Sequence, residues 1–126
     1  MEKAKKIILI VDDSALIVDR LISLMETTTT DHMVLTSGTY QQALETINAK
    51  DPDIAILDIQ LPDGSGIELL RYIKEHKPAI PAIMFTNQAT EMYHQLCMRE
   101  GAAYFIDKSS GFDSLSGIIA SLLEKK

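Results

Sequence analysis

Short apolar runs alternate with stretches of helical periodicity along this chain. Ile7-Ile8-Leu9-Ile10-Val11 shows no polar alternation, and a short β-branched run of that kind predicts a strand covered on both faces, as in parallel sheets. Ser14 then offers a helix cap, and Ile17, Leu21 and Leu24 recur at helical spacing. Thr27 to Thr30 and Asp31 are expected to end that helix in a loop, and Met33-Val34-Leu35 predicts a weak second strand. Thr39 caps a second helix that turns Ala43, Leu44 and Ile47 inward, and Asp51-Pro52-Asp53 breaks it. Ile54 to Leu57 is the third strand, and Leu61 to Gly66 a turn punctuated by Pro and Gly. Ile67, Leu70 and Ile73 mark a third helix that stops before Pro78. Pro81 to Phe85 forms the fourth strand. Ala89, Met92, Tyr93, Leu96 and Cys97 fall on one face of a fourth helix, with Gly101 placed as its stop. Ala103 to Ile106 is the fifth strand, and Asp113 caps a last helix that buries Leu115, Ile118, Ile119 and Leu122.

Five alternating strand and helix units predict an α/β fold: a doubly wound, five-stranded parallel sheet between two helical layers. The pattern holds no repeat, linker or low-complexity tract, so a single domain over 1–126 is expected, with its core at about 6–124. A hydrophobic content of 46% is enough for one buried core. The net charge of −6 argues against direct nucleic-acid binding, which needs clustered Lys and Arg. The one cysteine, Cys97, excludes an intramolecular disulfide and gives no thiolate metal cluster. The apolar run before Asp12 is too short for a signal-peptide core or a membrane span, so the expectation is a cytoplasmic chain without membrane contact.

The strands stop on chemistry. The first ends at Asp12-Asp13, the third at Asp58, the fourth at Thr86, and the fifth leads to Lys108. In a parallel sheet these ends share one edge, and ligands bind outside it where the strand order reverses. Three carboxylates, a hydroxyl and an ammonium would then converge. Like charges at ~4 Å repel by about 4 kcal/mol at an effective dielectric of 20, so the acids call for protons or a cation. Mg²⁺, a hard ion that takes a few protein oxygens and keeps waters, suits them. Asp13 and Asp58 are the expected direct ligands, with Asp12 acting mainly through a coordinated water and the Gln60 backbone carbonyl completing the protein's share. A carboxylate can attack phosphorus to form an acyl phosphate, and Asp58 is the best placed nucleophile. Lys108 and the Thr86 hydroxyl would hold phosphoryl oxygens. Taken singly these residues have ordinary readings: a helix N-cap pair, a turn former, a surface lysine, a strand end. Their joint arrangement favours a phosphoryl-accepting site. His32, His76 and His94 lack ligand spacing and read as surface histidines; Tyr40 and Tyr72 read as partly exposed; Cys97 and the Met92/Tyr93 stripe read as core or partner-face residues.

These residues resemble the receiver domain of two-component response regulators, including the single-domain chemotaxis type. Val11-Asp12-Asp13 matches the acidic pair, and Leu57-Asp58 with Leu61-Pro62-Asp63-Gly64-Ser65-Gly66 matches the phosphoacceptor and its loop. Phe85-Thr86 matches the switch hydroxyl, and Gly101 to Lys108 the last strand and its lysine. The resemblance implies a flavodoxin-like sheet of order 2-1-3-4-5. It implies a histidine kinase or phosphotransfer protein as donor, with self-catalysed phosphotransfer and autodephosphorylation and no separate substrate turnover. It implies a switch in which Thr86 moves toward the phosphoryl and Phe105 changes burial. Signalling would pass to an output partner or domain through the fourth helix, fifth strand and fifth helix, and phosphorylation would allow a homodimer.

Three departures from that family's pattern stand out. Lys108 is followed by Ser109, not Pro, so either a trans bond or a strained loop is expected, a non-proline cis bond costing ~3 kcal/mol. Phe105 lacks a tyrosine hydroxyl, and Asn87 follows Thr86 where many relatives have a small residue. Gln60, Asn87 and Gln88 fall where acyl-phosphate lifetime is tuned. Competing readings remain. A phosphorylation-independent interaction domain on the same fold is one. An aspartyl-nucleophile phosphatase of the haloacid dehalogenase kind is another, but Gln60 stands where its second acid is needed. A flavodoxin-like cofactor protein would need a phosphate loop where this chain has two acids.

Overall fold

A computed structural model describes residues 5–28 and 31–124. The elements run β1 (Lys6–Val11), α1 (Ala15–Thr28), β2 (His32–Ser37), α2 (Tyr40–Lys50), β3 (Ile54–Leu57), β4 (Gln60–Leu61), β5 (Gly64–Ser65), α3 (Gly66–His76), β6 (Ala82–Thr86), α4 (Glu91–Arg99), β7 (Tyr104–Asp107) and α5 (Phe112–Glu124). Five strands form one parallel sheet in the order β2-β1-β3-β6-β7, the doubly wound order expected, while β4 and β5 make a separate antiparallel hairpin. The turn expected at Leu61 to Gly66 is therefore a small hairpin that opens directly into α3.

The unbroken apolar runs have a simple cause. Alternate strand residues face opposite sides, and both sides are covered. Leu9, Val11, Ala55, Leu57, Ala82 and Met84 pack with Ala43 and Ile47 of α2, Leu70 and Ile73 of α3, and Cys97 of α4. Ile8, Ile10, Ile54, Ile56, Ile83 and Phe85 pack with Leu21 and Met25 of α1 and Leu115, Ile119 and Leu123 of α5. No polar position can be tolerated inside such a strand, so polar residues are pushed to the strand ends.

Several boundaries differ from expectation. The helix α1 runs on through Thr27 and Thr28, because the Thr27 hydroxyl donates to the Leu24 carbonyl at 3.0 Å and stays within the last turn; Thr29 and Thr30 lie outside the described residues. The second strand is longer than Met33-Val34-Leu35, since all six of its residues register against β1. Ala89 precedes the α4 N-cap Thr90, and Met92 is exposed, so the expected α4 face narrows to half-buried Tyr93 and Leu96 with buried Cys97. Because α5 starts at Phe112, Asp113 lies in its first turn and is not its cap; Leu123 is buried while Ile118 and Leu122 are half-buried. His32 is half-buried with Nδ1 unpartnered, and not a surface residue; His76 and His94 are exposed. No described peptide bond is cis, so Lys108–Ser109 is trans.

Candidate functional site

Ladder hydrogen bonds carry the sheet one residue past its strands and so place the polar ends. The Asp12 N–H donates to the Ser37 carbonyl at 3.0 Å, Asp58 to Val11 at 2.9 Å, and Lys108 to Thr86 at 3.0 Å. Gly66 lets the start of α3 press against the backbone of Asp58: a Cβ there would collide with the Asp58 carbonyl oxygen. The Gly66 N–H donates to the Ile59 carbonyl at 2.7 Å, and Ser65 with Glu68 forms a capping box that fixes the helix start.

Four of the expected residues are buried: Asp12, Asp58, Thr86 and Lys108. Lys108 Nζ lies 2.6 Å from Asp12 Oδ2 and donates to Asp58 Oδ2 at 3.0 Å. Asp12 Oδ1 accepts from the Ser14 N–H at 2.9 Å. Asp13 is exposed, and no ion pair reaches it among the described residues. Carboxylate oxygens of Asp12, Asp13 and Asp58 lie within 4.8 Å of one another.

The charges do not balance: among the described residues three carboxylates gather beside one ammonium, which pairs with only two of them. Burial raises the Asp12 pKa, and the hydrogen bond and charge of Lys108 only partly offset this. Burial also works to lower the Lys108 pKa, but its hydrogen bonds to Asp12 and Asp58 outweigh that and the net shift is upward. Lys108 thus stays a cation, while Asp12 holds a proton more readily than a free aspartate. A hard divalent ion fits this donor set, because oxygen ligands from Asp13 and Asp58 face one opening and need positive charge.

That opening is a cleft of about 420 Å³ lined by Asp13, Asp58, Gln60, Leu61, Pro62, Thr86, Asn87 and Gln88. Thr86 Oγ1 accepts from the Gln88 N–H at 3.0 Å, leaving its own proton to donate. The Gln88 side-chain amide donates to Gln60 Oε1 at 3.0 Å, joining the segments after Asp58 and Thr86. Phe105 does not line the cleft; it is half-buried against the core and stacks on His94, with centroids 4.9 Å apart and planes 9° from parallel.

Two contacts had no local signal. The Gln60–Gln88 bond joins residues 28 apart, and Asp63, expected only as part of a turn, accepts from the Tyr40 and Gln41 N–H groups of α2. Lys108, expected to hold a phosphoryl oxygen, pairs with two acids in this structure.

Comparison with known proteins points one way. The family model for the response regulator receiver domain matches residues 8–120. The regulatory protein LuxO of Vibrio cholerae is 32% identical over 88 residues, covering 70% of this chain and 19% of that protein. A protein-glutamate methylesterase/protein-glutamine glutaminase of Clostridium acetobutylicum is 32% identical over 127 residues, covering 99% of this chain and 36% of that one. The chain therefore spans about a fifth to a third of the length of these curated relatives. The crystal structure of a CheY-like response regulator receiver domain from Methanospirillum hungatei superposes with a TM-score of 0.84 at 31% identity, covering 96% of each chain.

Proposed function

Because this chain belongs to the response regulator receiver domain family, we propose that it is a phosphorylation switch of a two-component relay, with Asp58 as its phosphoacceptor. The observation that carries the reading is the grouping of Asp58, Asp13 and Thr86 at one edge of the sheet around one open cleft, with the buried Lys108 bonded to Asp58. A phosphohistidine on a histidine kinase or phosphotransfer protein is the donor. An Asp58 carboxylate oxygen forms the new P–O bond while the donor's P–N bond breaks, and its electron pair stays on the imidazole. Hydrolysis reverses the state: water attacks phosphorus, the P–O bond to Asp58 breaks, and carboxylate and inorganic phosphate result. No separate substrate is turned over.

Asp13, Asp58 and the Gln60 carbonyl are the residues that would hold Mg²⁺, with Asp12 acting behind them through Lys108 and a coordinated water. When bound, the ion supplies positive charge against the carboxylates and the incoming phosphoryl oxygens. The chain's own residues do the rest. The strand ends orient Asp58, Lys108 neutralises charge from the buried side, and the free Thr86 proton is positioned to donate to a phosphoryl oxygen. Gln60, Asn87 and Gln88 stand at the mouth and control the approach of water. Residues 6–124 act as one domain, in the cytoplasm where Mg²⁺ and kinase are found. Among the described residues no helix is long and apolar enough to cross a membrane. The signal leaves through α4, β7 and α5, where Phe105 and its His94 neighbour lie, to an output partner or domain, and phosphorylation would allow a homodimer.

Intact mass after incubation with Mg²⁺ and acetyl phosphate tests this. One phosphoryl adduct is expected in the natural protein and none in Asp58→Asn. An adduct that survives Asp58→Asn would sink the assignment; failure to label with either acetyl phosphate or a phosphorylated donor would favour a phosphorylation-independent binding domain.

A further inference from the structure

The first turn of α2 is capped from a distance. An α-helix begins with four N–H groups lacking partners inside the helix. Here Thr39 serves one of them, since its Oγ1 accepts from the Gln42 N–H at 3.1 Å, while its carbonyl takes the first intrahelical bond, from the Ala43 N–H at 3.1 Å. Two more are served by one side chain 22 and 23 residues away. Asp63 Oδ1 accepts from the Tyr40 N–H at 2.6 Å and Oδ2 from the Gln41 N–H at 3.1 Å. The first turn of α2 contains no acid of its own to meet the helix dipole. The contact is thus a two-point carboxylate anchor.

Asp63 lies at the tip of the β4–β5 hairpin, and that hairpin is part of the candidate site. Its first residue is Gln60; Leu61 and Pro62 line the cleft; its far end is the N-cap of α3. Only Gln60–Ser65 and Leu61–Gly64 pair within it, too little for a hairpin to be stable by itself. A second contact reinforces the anchor. A Cβ at Gly64 would lie 3.1 to 3.3 Å from atoms of the Tyr40 side chain, so the hairpin backbone rests against that residue. The hydrogen bond from Tyr40 also holds the Asp63 carboxyl below the usual aspartate range, which keeps the anchor charged down to low pH.

We infer that Asp63 is a positioning residue for the phosphoacceptor site: its carboxylate ties the β4–β5 hairpin to the N-terminus of α2 and so holds Gln60 and the cleft wall in register with Asp58. The inference rests on the switch reading for its purpose, but the tether itself can be measured without phosphorylation. Asp63→Ala removes both bonds. A double variant, Asp63→Ala with Thr39→Asp, returns a charged cap to α2 without rejoining the hairpin. Amide hydrogen exchange of residues 60–65, Mg²⁺ titration and urea denaturation are followed for both.

In Asp63→Ala, hairpin exchange is expected to accelerate and Mg²⁺ affinity to fall about tenfold, as for supporting partners of metal ligands. The double variant is expected to recover stability while exchange and Mg²⁺ affinity stay impaired. Recovery of all three together would reduce Asp63 to a helix cap and overturn the inference, as would unchanged hairpin protection in Asp63→Ala. Absence of both labelling and Mg²⁺ binding in the natural protein would defeat the switch reading; hairpin exchange would still decide the tether.

Discussion

Replacing Lys108 with methionine tests the charge imbalance directly. The ammonium sits 2.6 Å from Asp12 and 3.0 Å from Asp58. At an effective dielectric of 20 each contact is worth about 6 kcal/mol of gross attraction. Removing it leaves carboxylates within 4.8 Å of each other, a repulsion of about 3.5 kcal/mol on the same scale. Most of the gross figure is offset, because burying the ammonium also cost hydration. Breaking one side of a buried pair nets about 3–5 kcal/mol, and the lower end applies here because the cleft is open to water on the Asp13 side. A loss of about 3 kcal/mol at pH 8 corresponds to a fall in Tm of roughly 12 °C for a chain of this size.

The pH dependence gives the sign. Asp12 already has a raised pKa, and loss of Lys108 removes two of the influences that lower it. The folded variant therefore binds a proton more tightly than the unfolded chain, and its stability rises as pH falls through the raised Asp12 pKa toward 3.8. The deficit should therefore shrink as pH falls from 8. At the alkaline end the natural protein should lose its Lys108 contribution only as pH climbs through a folded pKa above 10.5; the variant should lack that limb. Mg²⁺ should stabilise the variant more than the natural protein, since Lys108 no longer competes for the acids, and tenfold excess over Kd adds about 1.4 kcal/mol. Urea denaturation followed by circular dichroism at pH 8 and pH 5, with and without Mg²⁺, reads all of this. A deficit of equal size at both pH values and untouched by Mg²⁺ would mean that the Lys108 ammonium does not set the charge balance of these acids.

Three further outcomes are expected. Mg²⁺ affinity measured calorimetrically should fall as pH drops from 8 to 5, because the ion must compete with the proton that burial favours on Asp12; a flat profile would place the ion away from Asp12. Gly66→Ala should cost about 1–3 kcal/mol in urea denaturation and slow acetyl phosphate labelling, because its Cβ would strike the Asp58 carbonyl; full labelling with native stability would show that the helix start can shift freely. Gln60→Ala and Gln88→Ala should each shorten acyl-phosphate lifetime, with the double variant no worse than either, since both break the same 3.0 Å bond; multiplicative effects would mean the two amides act separately.

The sheet was readable because its strands are buried on both faces. Ile8 and Ile10 face one core while Leu9 and Val11 face the other, so continuous apolarity, Asp12 and Asp58 at the ends, and the chemistry between them follow from one constraint. Helix edges were harder. Thr27 bonds within its own helix and extends α1; Ala89 falls outside α4, which begins only after Thr90, and Met92 falls at core spacing yet is exposed. Asp63 illustrates what no window of sequence contains. Within its own loop it is an ordinary turn residue; its partners, Tyr40 and Gln41, belong to another unit of the fold. Lys108 lies between the two cases: its arrival beside the acids was readable from the strand ends, but its direct pairing with Asp12 was not.

Under the proposed function this pairing explains how a small chemical change can move a large structure. Phosphorylation replaces the single charge of Asp58 with a group of nearly two, and among the described residues Lys108 is the ammonium in contact with both Asp58 and Asp12. The phosphoryl competes for it, and Asp12, whose buried carboxyl already resists ionisation, is the partner more easily left. Thr86 lies on the strand registered against β7, with Met84 opposite Phe105, and its hydroxyl holds the Gln88 N–H. A turn of that hydroxyl toward the phosphoryl pulls on the loop leading to α4, and α4 carries the His94 ring that stacks on Phe105. The loop is the weak link, since Asn87 and Gln88 are exposed while Thr86 is fully buried. Movement would therefore be directed outward along α4, away from the buried core beneath the strand.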